Sequence, residues 1–243
     1  MKNGFFIDEF LKRELFNIQK PGRYVGGEVN QVKKEWNNID IKTALVFPDI
    51  YDIGLSNLGI SILYEIINDL PFALAERAYS PWLDMEKAMR AAQVPMFSLE
   101  SHKPLRSFDL LGFSIPYESL YTNVLNILDL SQIPLHAGDR TEKDPIIIAG
   151  GHSCFNPEPM HEFIDLFAIG DGEEAIVELI NELRECKRRR LNRSDSLLSL
   201  SKISGIYNPK LFEVKYNEDN TVKSVIRRSE TENSFITRRL INK

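Results

Sequence analysis

Four loops carry the residue types that could do chemistry, and each follows an apolar run. The first reads Pro48-Asp49-Ile50-Tyr51-Asp52-Ile53-Gly54-Leu55-Ser56-Asn57. Here Gly54 allows close backbone approach to a ligand, and Ser56 or Asn57 can cap the following helix. Free amides at such a helix start could receive a phosphate or a carboxamide, or the loop is an ordinary capped connection. The second, Ser114-Ile115-Pro116-Tyr117-Glu118-Ser119, puts a phenol and a carboxylate together. Glu118 either accepts hydrogen bonds from a ligand or only favours a helix N-terminus. The third, Gly150-Gly151-His152-Ser153-Cys154, brings bare backbone to a strand end beside one imidazole. The fourth, Gly170-Asp171-Gly172-Glu173-Glu174, is acidic where a helix begins, which suits the helix but repels a phosphate placed directly on it.

Several chemistries are excluded by the same reading. No P-loop lysine and no complete G-x-G-x-x-G motif follow the first strand. No nucleophile, base and orienting group are laid out as a hydrolase site. His152 stands without the paired ligands a metal site needs. The two cysteines, Cys154 and Cys186, cannot supply the ligands of an iron–sulfur cluster or a four-cysteine zinc site. Redox or radical chemistry must therefore come from a bound cofactor or another polypeptide. No catalytic residue and no metal ligand is assigned.

The elements that must position these loops follow from hydrophobic patterning. Apolar runs at residues 43–47, 73–79, 110–115, 145–149 and 166–169 read as strands. Helical spacing joins Leu55 to Leu70, Trp82 to Ala92, Leu120 to Leu128 and Ala175 to Leu183. Strands apolar on both faces, alternating with helices, predict an α/β fold: a doubly wound, mostly parallel sheet of Rossmann-like architecture. In such sheets ligands bind outside the carboxyl ends of the strands, where all four loops fall. Residues 1–42 read as an N-terminal helical arm, packed through Trp36, and residues 43–204 as the α/β domain. Residues 205–243 read as a β-hairpin (211–216 and 221–226) and a polar linker. A short helix is expected over 194–204. The basic run Lys187 to Arg190 is read as a solvated helix end.

The net charge of −5 argues against a general nucleic-acid binder. No apolar run approaches the ~20 residues needed to span a bilayer. Charges interrupt the first residues, so no signal peptide is read and a cytoplasmic protein is expected.

Taken together, Ile147-Ile148-Ala149-Gly150-Gly151-His152 and Ile169-Gly170-Asp171-Gly172-Glu173-Glu174 resemble the cobalamin-binding-type N-terminal domain of radical SAM proteins. The match is closer to one family of that group. It includes Phe47-Pro48-Asp49, Gly54-Leu55-Ser56, Pro81-Trp82, Met85-Glu86, Phe97-Ser98-Leu99-Glu100-Ser101, Tyr121-Thr122-Asn123 and Asn156-Pro157-Glu158-Pro159, and extends from about Arg23 onward.

The resemblance implies a flavodoxin-like sheet fused to a radical SAM barrel. In full-length members that barrel carries a three-cysteine motif for a four-iron, four-sulfur cluster and binds S-adenosylmethionine. This chain has no such motif, so both groups are expected only in a domain outside it. The expected partner is a radical SAM barrel, as domain or subunit, with the chain a fragment or split-gene product; no membrane and no nucleic acid is expected. Many cobalamin domains carry Asp-x-His-x-x-Gly with the His on cobalt. Tyr51 stands in that place here, so the resemblance implies cobalamin without an axial imidazole from this loop. The cofactor-binding set expected on these grounds is Asp49, Tyr51, Gly54, Ser56, Ser114, Tyr117, Glu118, Gly150, Gly151, His152, Gly170, Gly172 and Glu173. Two alternatives remain open: a ligand-free interaction module for a radical SAM partner, or a flavin- or nucleotide-binding protein.

Overall fold

A computed structural model describes residues 3–228 and 236–241. Eight strands and seven α-helices are labelled in chain order. The first half runs α1 (Asn3–Glu14), β1 (Ile41–Ile50), α2 (Tyr51–Gly54), α3 (Leu58–Asp69), β2 (Ala73–Ser80), α4 (Leu83–Ala92), β3 (Leu110–Ser114) and α5 (Tyr121–Leu130). The second half runs β4 (Ile146–Gly150), β5 (Leu166–Ala168), α6 (Glu173–Arg189), α7 (Arg193–Leu200), β6 (Ile206–Tyr207), β7 (Phe212–Tyr216) and β8 (Val222–Arg227).

The main sheet has the order β2-β1-β3-β4-β5-β6. Pairings among β1 to β5 are parallel and β6 runs antiparallel to β5. This is the doubly wound α/β fold the patterning predicts. Right-handed crossovers dictate the layers. Stepping from β1 outward to β2 puts α3 on one face; stepping back through β3 to β4 puts α4 and α5 on the other. Accordingly, Ile60, Tyr64 and Ile67 of α3 share one core with Leu179, Ile180 and Leu183 of α6. Met85, Met89, Val124, Ile127 and Leu128 of α4 and α5 share the opposite core with Ile7, Phe10 and Leu11 of α1.

The arm is anchored as its residues suggest. The Trp36 ring meets Phe108 edge-on at 5.0 Å. Arg23 stacks on Trp82 at 5.4 Å and pairs with Asp52, so the arm crosses the ends of β1 and β2. Asn57, rather than Ser56, caps α3, its side chain accepting from the Ile60 amide at 3.0 Å. Such a cap is worth ~1 kcal/mol.

Three features depart from the sequence reading. No α-helix joins β4 to β5; Pro157 and Pro159 lie in that connection, which forms tight 3-10 turns over His152–Phe155 and Glu158–Met160. Ile206–Tyr207 adds an edge strand to the main sheet, although two residues carry too little periodicity to be read. Of the expected linker, Arg239 forms a parallel bridge with Gly170, while residues 229–235 and 242–243 lie outside the described residues. The hairpin β7–β8 forms as read. Among the described residues no helix is long and apolar enough to cross a membrane.

Candidate functional site

Side chains alternate between the two faces along each strand. Toward α3 and α6, β3 presents Leu110, Gly112 and Ser114; β4 presents Ile146, Ile148 and Gly150; β5 and its extension present Leu166, Ala168 and Gly170. On all three strands a large side chain at the amino end gives way to serine or glycine at the carboxyl end. On the opposite face β3 and β5 keep large side chains, Leu111, Phe113 and Ile115 on the one and Phe167 and Ile169 on the other, while β4 runs Ile147, Ala149, Gly151. The carboxyl end of the face toward α3 and α6 is therefore hollow, whereas on the other face the small residues of β4 lie between the bulk of Phe113 and Ile115 on β3 and of Phe167 and Ile169 on β5.

The hollow is a cavity of about 210 Å³ between the sheet, α3 and α6. Its walls are Leu45, Ile60, Leu63, Ile148, Ile176 and Leu179, with Gly112, Gly150 and Ala168 as the floor. Among the described residues Glu173 is the only charged side chain in its lining, and no lysine or arginine joins it. A Cβ on Gly150 would meet only Ala168, at 3.7–3.8 Å, and one on Gly112 would touch Leu45 at 3.4 Å. These two glycines leave space rather than relieve strain. An apolar cavity of about 150 Å³ suffices to bind benzene. The present one suits a ring-sized, uncharged group, and Glu173 disfavours an anion there.

Of the expected site residues, Ser114, Gly150, Gly151, Gly170, Gly172 and Glu173 come together around this cavity. The others do not line it. Tyr117 donates from its hydroxyl to Asp49 at 3.3 Å, which bridges the ends of β1 and β3, the point where strand order reverses. Tyr51 turns away toward the arm. Its hydroxyl donates to Glu28 at 2.5 Å, its ring meets Tyr79 edge-on, and burial, with help from Glu28, pushes its phenol up to about 12. Ser56 donates to the Ile53 carbonyl. Glu118 and His152 are exposed, His152 lying against Phe155.

Three glycines prove to be needed for the chain's own approach. A Cβ on Gly54 would lie 2.6 Å from Cε1 of Tyr79. A Cβ on Gly151 (φ +112°) would lie 2.7 Å from the Ile115 carbonyl oxygen, and one on Gly170 (φ +113°) would run into the Arg239 backbone. The sequence expectation that they admit a ligand did not include these neighbours, which are distant in the chain.

Sequence reasoning missed Gly59, Gly112, Ala168 and the walls on α3 and α6. A signal was present: alternate residues of each strand, read as Leu-Gly-Ser, Ile-Ile-Gly and Leu-Ala-Gly, begin on a large apolar residue and end on a small one.

The family of radical SAM proteins, N-terminal, matches residues 59–209. That is more than half of the chain, from the first turn of α3 to just beyond β6. No curated protein matches. With β3, β4, β5, α3 and α6 all inside the match, the hollowed sheet end is part of what the family model covers, and the chain belongs to the family of radical SAM proteins as their N-terminal region.

Proposed function

We propose that this region holds an uncharged end of a cofactor, cobalamin before any other, in the cavity beneath β3, β4 and β5. The remainder of the cofactor would stand at the carboxyl rim, opposite a radical SAM barrel. The observation carrying this reading is the run of small residues, Gly112, Ser114, Gly150, Ala168 and Gly170, on the face toward α3 and α6, which leaves an apolar hollow at the strand ends. Its volume admits one ring system and not a whole corrin. Gly112, Gly150 and Ala168 would form the cradle, and Ile60, Leu63, Ile176 and Leu179 would pack against the guest. When bound, cobalamin supplies cobalt-centred radical or group-transfer chemistry. Tyr51, engaged by Glu28, offers the cobalt no ligand in this arrangement.

The iron–sulfur cluster does not fit this chain. Cys154 and Cys186 are both buried, and burial pushes the Cys154 thiol up to about 12, far from the thiolate a cluster requires. The cluster and S-adenosylmethionine are assigned to the barrel. A phosphate-anchored flavin or nucleotide is disfavoured by Glu173 and by the lack of a lysine or arginine in the lining among the described residues.

The interaction-module reading has its own support. Leu58 and Leu83, at the first turns of α3 and α4, and Trp82, Tyr117 and Phe155, in the connections after β2, β3 and β4, are exposed, all at the same end of the sheet. Titration of the full chain with hydroxocobalamin, followed by visible absorbance and by thermal unfolding, separates the two. Binding with a raised Tm is expected, because a ligand of the folded state stabilises it. Gly150→Leu should fill the hollow and abolish both signals while the chain stays folded. No binding by the native chain, or unchanged binding by Gly150→Leu, overturns the cofactor reading; a Tm unmoved by hydroxocobalamin, flavin mononucleotide and S-adenosylmethionine favours the interaction module.

A further inference from the structure

The corner between β5 and α6 is built to receive an extended peptide. Gly170 and Gly205 both have positive φ, +113° and +85°. A Cβ on Gly170 would lie 2.6 Å from the Arg239 nitrogen, and one on Gly205 would lie 3.0 Å from the Arg239 Cβ. Two glycines that are distant in sequence thus open one slot for the same residue. The slot also satisfies the guest's backbone. The Arg239 amide donates to the Ile169 carbonyl at 3.0 Å, and the Arg239 carbonyl accepts from the Asp171 amide at 3.0 Å. The Ile241 amide donates to the Asp171 carboxylate at 3.0 Å.

The side chain is specified as well. The Arg239 guanidinium makes two bonds to Glu178, at 2.6 and 2.9 Å, and one to Glu174 at 3.0 Å. It is 13% exposed. Glu174 and Glu178 keep 48% and 49% of their side chains in solvent, so what sets this pair apart from a single surface contact is its forked, multiply bonded geometry. On one side Arg238 lies over the Phe155 ring at 5.3 Å. Ile236 packs onto the opposite core, so residues 236–241 cross the carboxyl end of the sheet from one face to the other.

What makes this more than an anchored tail is its neighbour. Gly170 has Arg239 on one side and the cavity on the other. Gly172, Glu173 and Ile176, at the start of α6, line the cavity, while Glu174 and Glu178 of the same helix grip Arg239. We infer that this corner is a docking groove for an extended, arginine-bearing segment, filled by residues 236–241, and that seating the segment holds the α6 wall of the cavity in place. This rests on the cavity being the functional site. A segment and a cavity guest that stabilise the same turn must favour one another, by the same factor in each direction.

The test needs no ligand, so its outcome is independent of whether cobalamin binds. In the full chain, Ile176→Cys places a reporter thiol in the cavity wall, and native Cys154, buried in the other core, reports general loosening. Alkylation by iodoacetamide is followed at both positions by mass spectrometry, and release of the segment is read as faster hydrogen exchange at the Asp171 amide. Adding Arg239→Ala should speed exchange at Asp171 and speed alkylation of the reporter by tenfold or more, with Cys154 unchanged. The charge-swapped chain, Arg239→Glu with Glu174→Arg and Glu178→Arg, should return both toward the starting rates. Release of the segment with an unchanged reporter rate overturns the coupling. Unchanged exchange at Asp171 in both Arg239→Ala and Gly170→Val overturns the groove. If Arg239→Ala also speeds Cys154, the swapped chain decides: failure to restore the reporter overturns the inference.

Discussion

The ring of Tyr79 occupies the space that Gly54 leaves. Gly54 ends α2 directly over β2, with Phe47 closing the other side at 3.0 Å from where a Cβ would stand. Tyr79 is buried and meets Tyr51 edge-on. The loop after β1 is thereby locked to the sheet and not left open to a ligand. Gly54→Ala should destabilise the fold by about 1–3 kcal/mol, the usual penalty for overpacking. In a double-mutant cycle, shortening Tyr79 to Ala should remove most of the added penalty, as measured by urea unfolding; additive effects would contradict the contact.

Glycines that leave a hollow and glycines that relieve crowding should respond oppositely to the same change. Gly112→Ala places its methyl in ordinary contact with Leu45, so it should leave stability level or raise it by about 0.4–1 kcal/mol through the unfolded chain. It should at the same time weaken any guest of the cavity. Gly151→Ala, with φ +112° and the Ile115 carbonyl at 2.7 Å, should destabilise by more than 1 kcal/mol. Thermal unfolding of the pair distinguishes the two roles.

A buried ion pair beneath the arm should make stability depend on pH. Glu100 accepts from the Arg77 amide and Nε, both at 2.7 Å, and both side chains are 2% exposed. Burial outweighs the attraction of Arg77 and pushes the Glu100 carboxyl up to about 7, from an ordinary 4.5, with Glu76 adding to the rise. The folded chain then binds a proton that the unfolded chain has already lost. Stability should fall as pH rises from about 4.5 to about 7 and level off above that. Glu100→Gln should remove this part of the slope in denaturant titrations at pH 5, 6, 7 and 8; an identical slope in the variant would refute it.

Asp165, just before β5, holds the amino end of the sheet together. It accepts from Arg140 at 3.1 Å, Arg193 at 2.7 Å and the Ile147 amide at 2.8 Å. Asp165→Ala would leave two buried guanidinium groups without their shared carboxylate. A loss of about 3–5 kcal/mol is expected in chemical unfolding. Arg90, whose partners Glu86 and Asp129 lie on the surface, should lose no more than about 1 kcal/mol when changed to Ala.

Much of the architecture was legible because its causes are local. Apolar runs such as residues 145–149 and helical spacing such as Ala175 to Leu183 record burial within a few residues, and the strand–helix alternation then leaves few topologies. The same reading located four loops at one end of the sheet, and six of the residues chosen from them do surround one cavity.

Which glycine serves which purpose was decided only in three dimensions. Gly150 and Gly112 border the cavity, with neighbours only at ordinary contact distance, whereas Gly54, Gly151 and Gly170 are crowded by Tyr79, Ile115 and Arg239. Nothing in the local sequence separates these cases, because each neighbour arrives from another strand or from the tail. Tyr51 likewise turned to Glu28 because the arm folds back across β1, a contact between residues 23 positions apart. Periodicity reports which face a residue takes; only the packed structure determines what is waiting on that face, since close contacts form between segments that the chain order does not bring together.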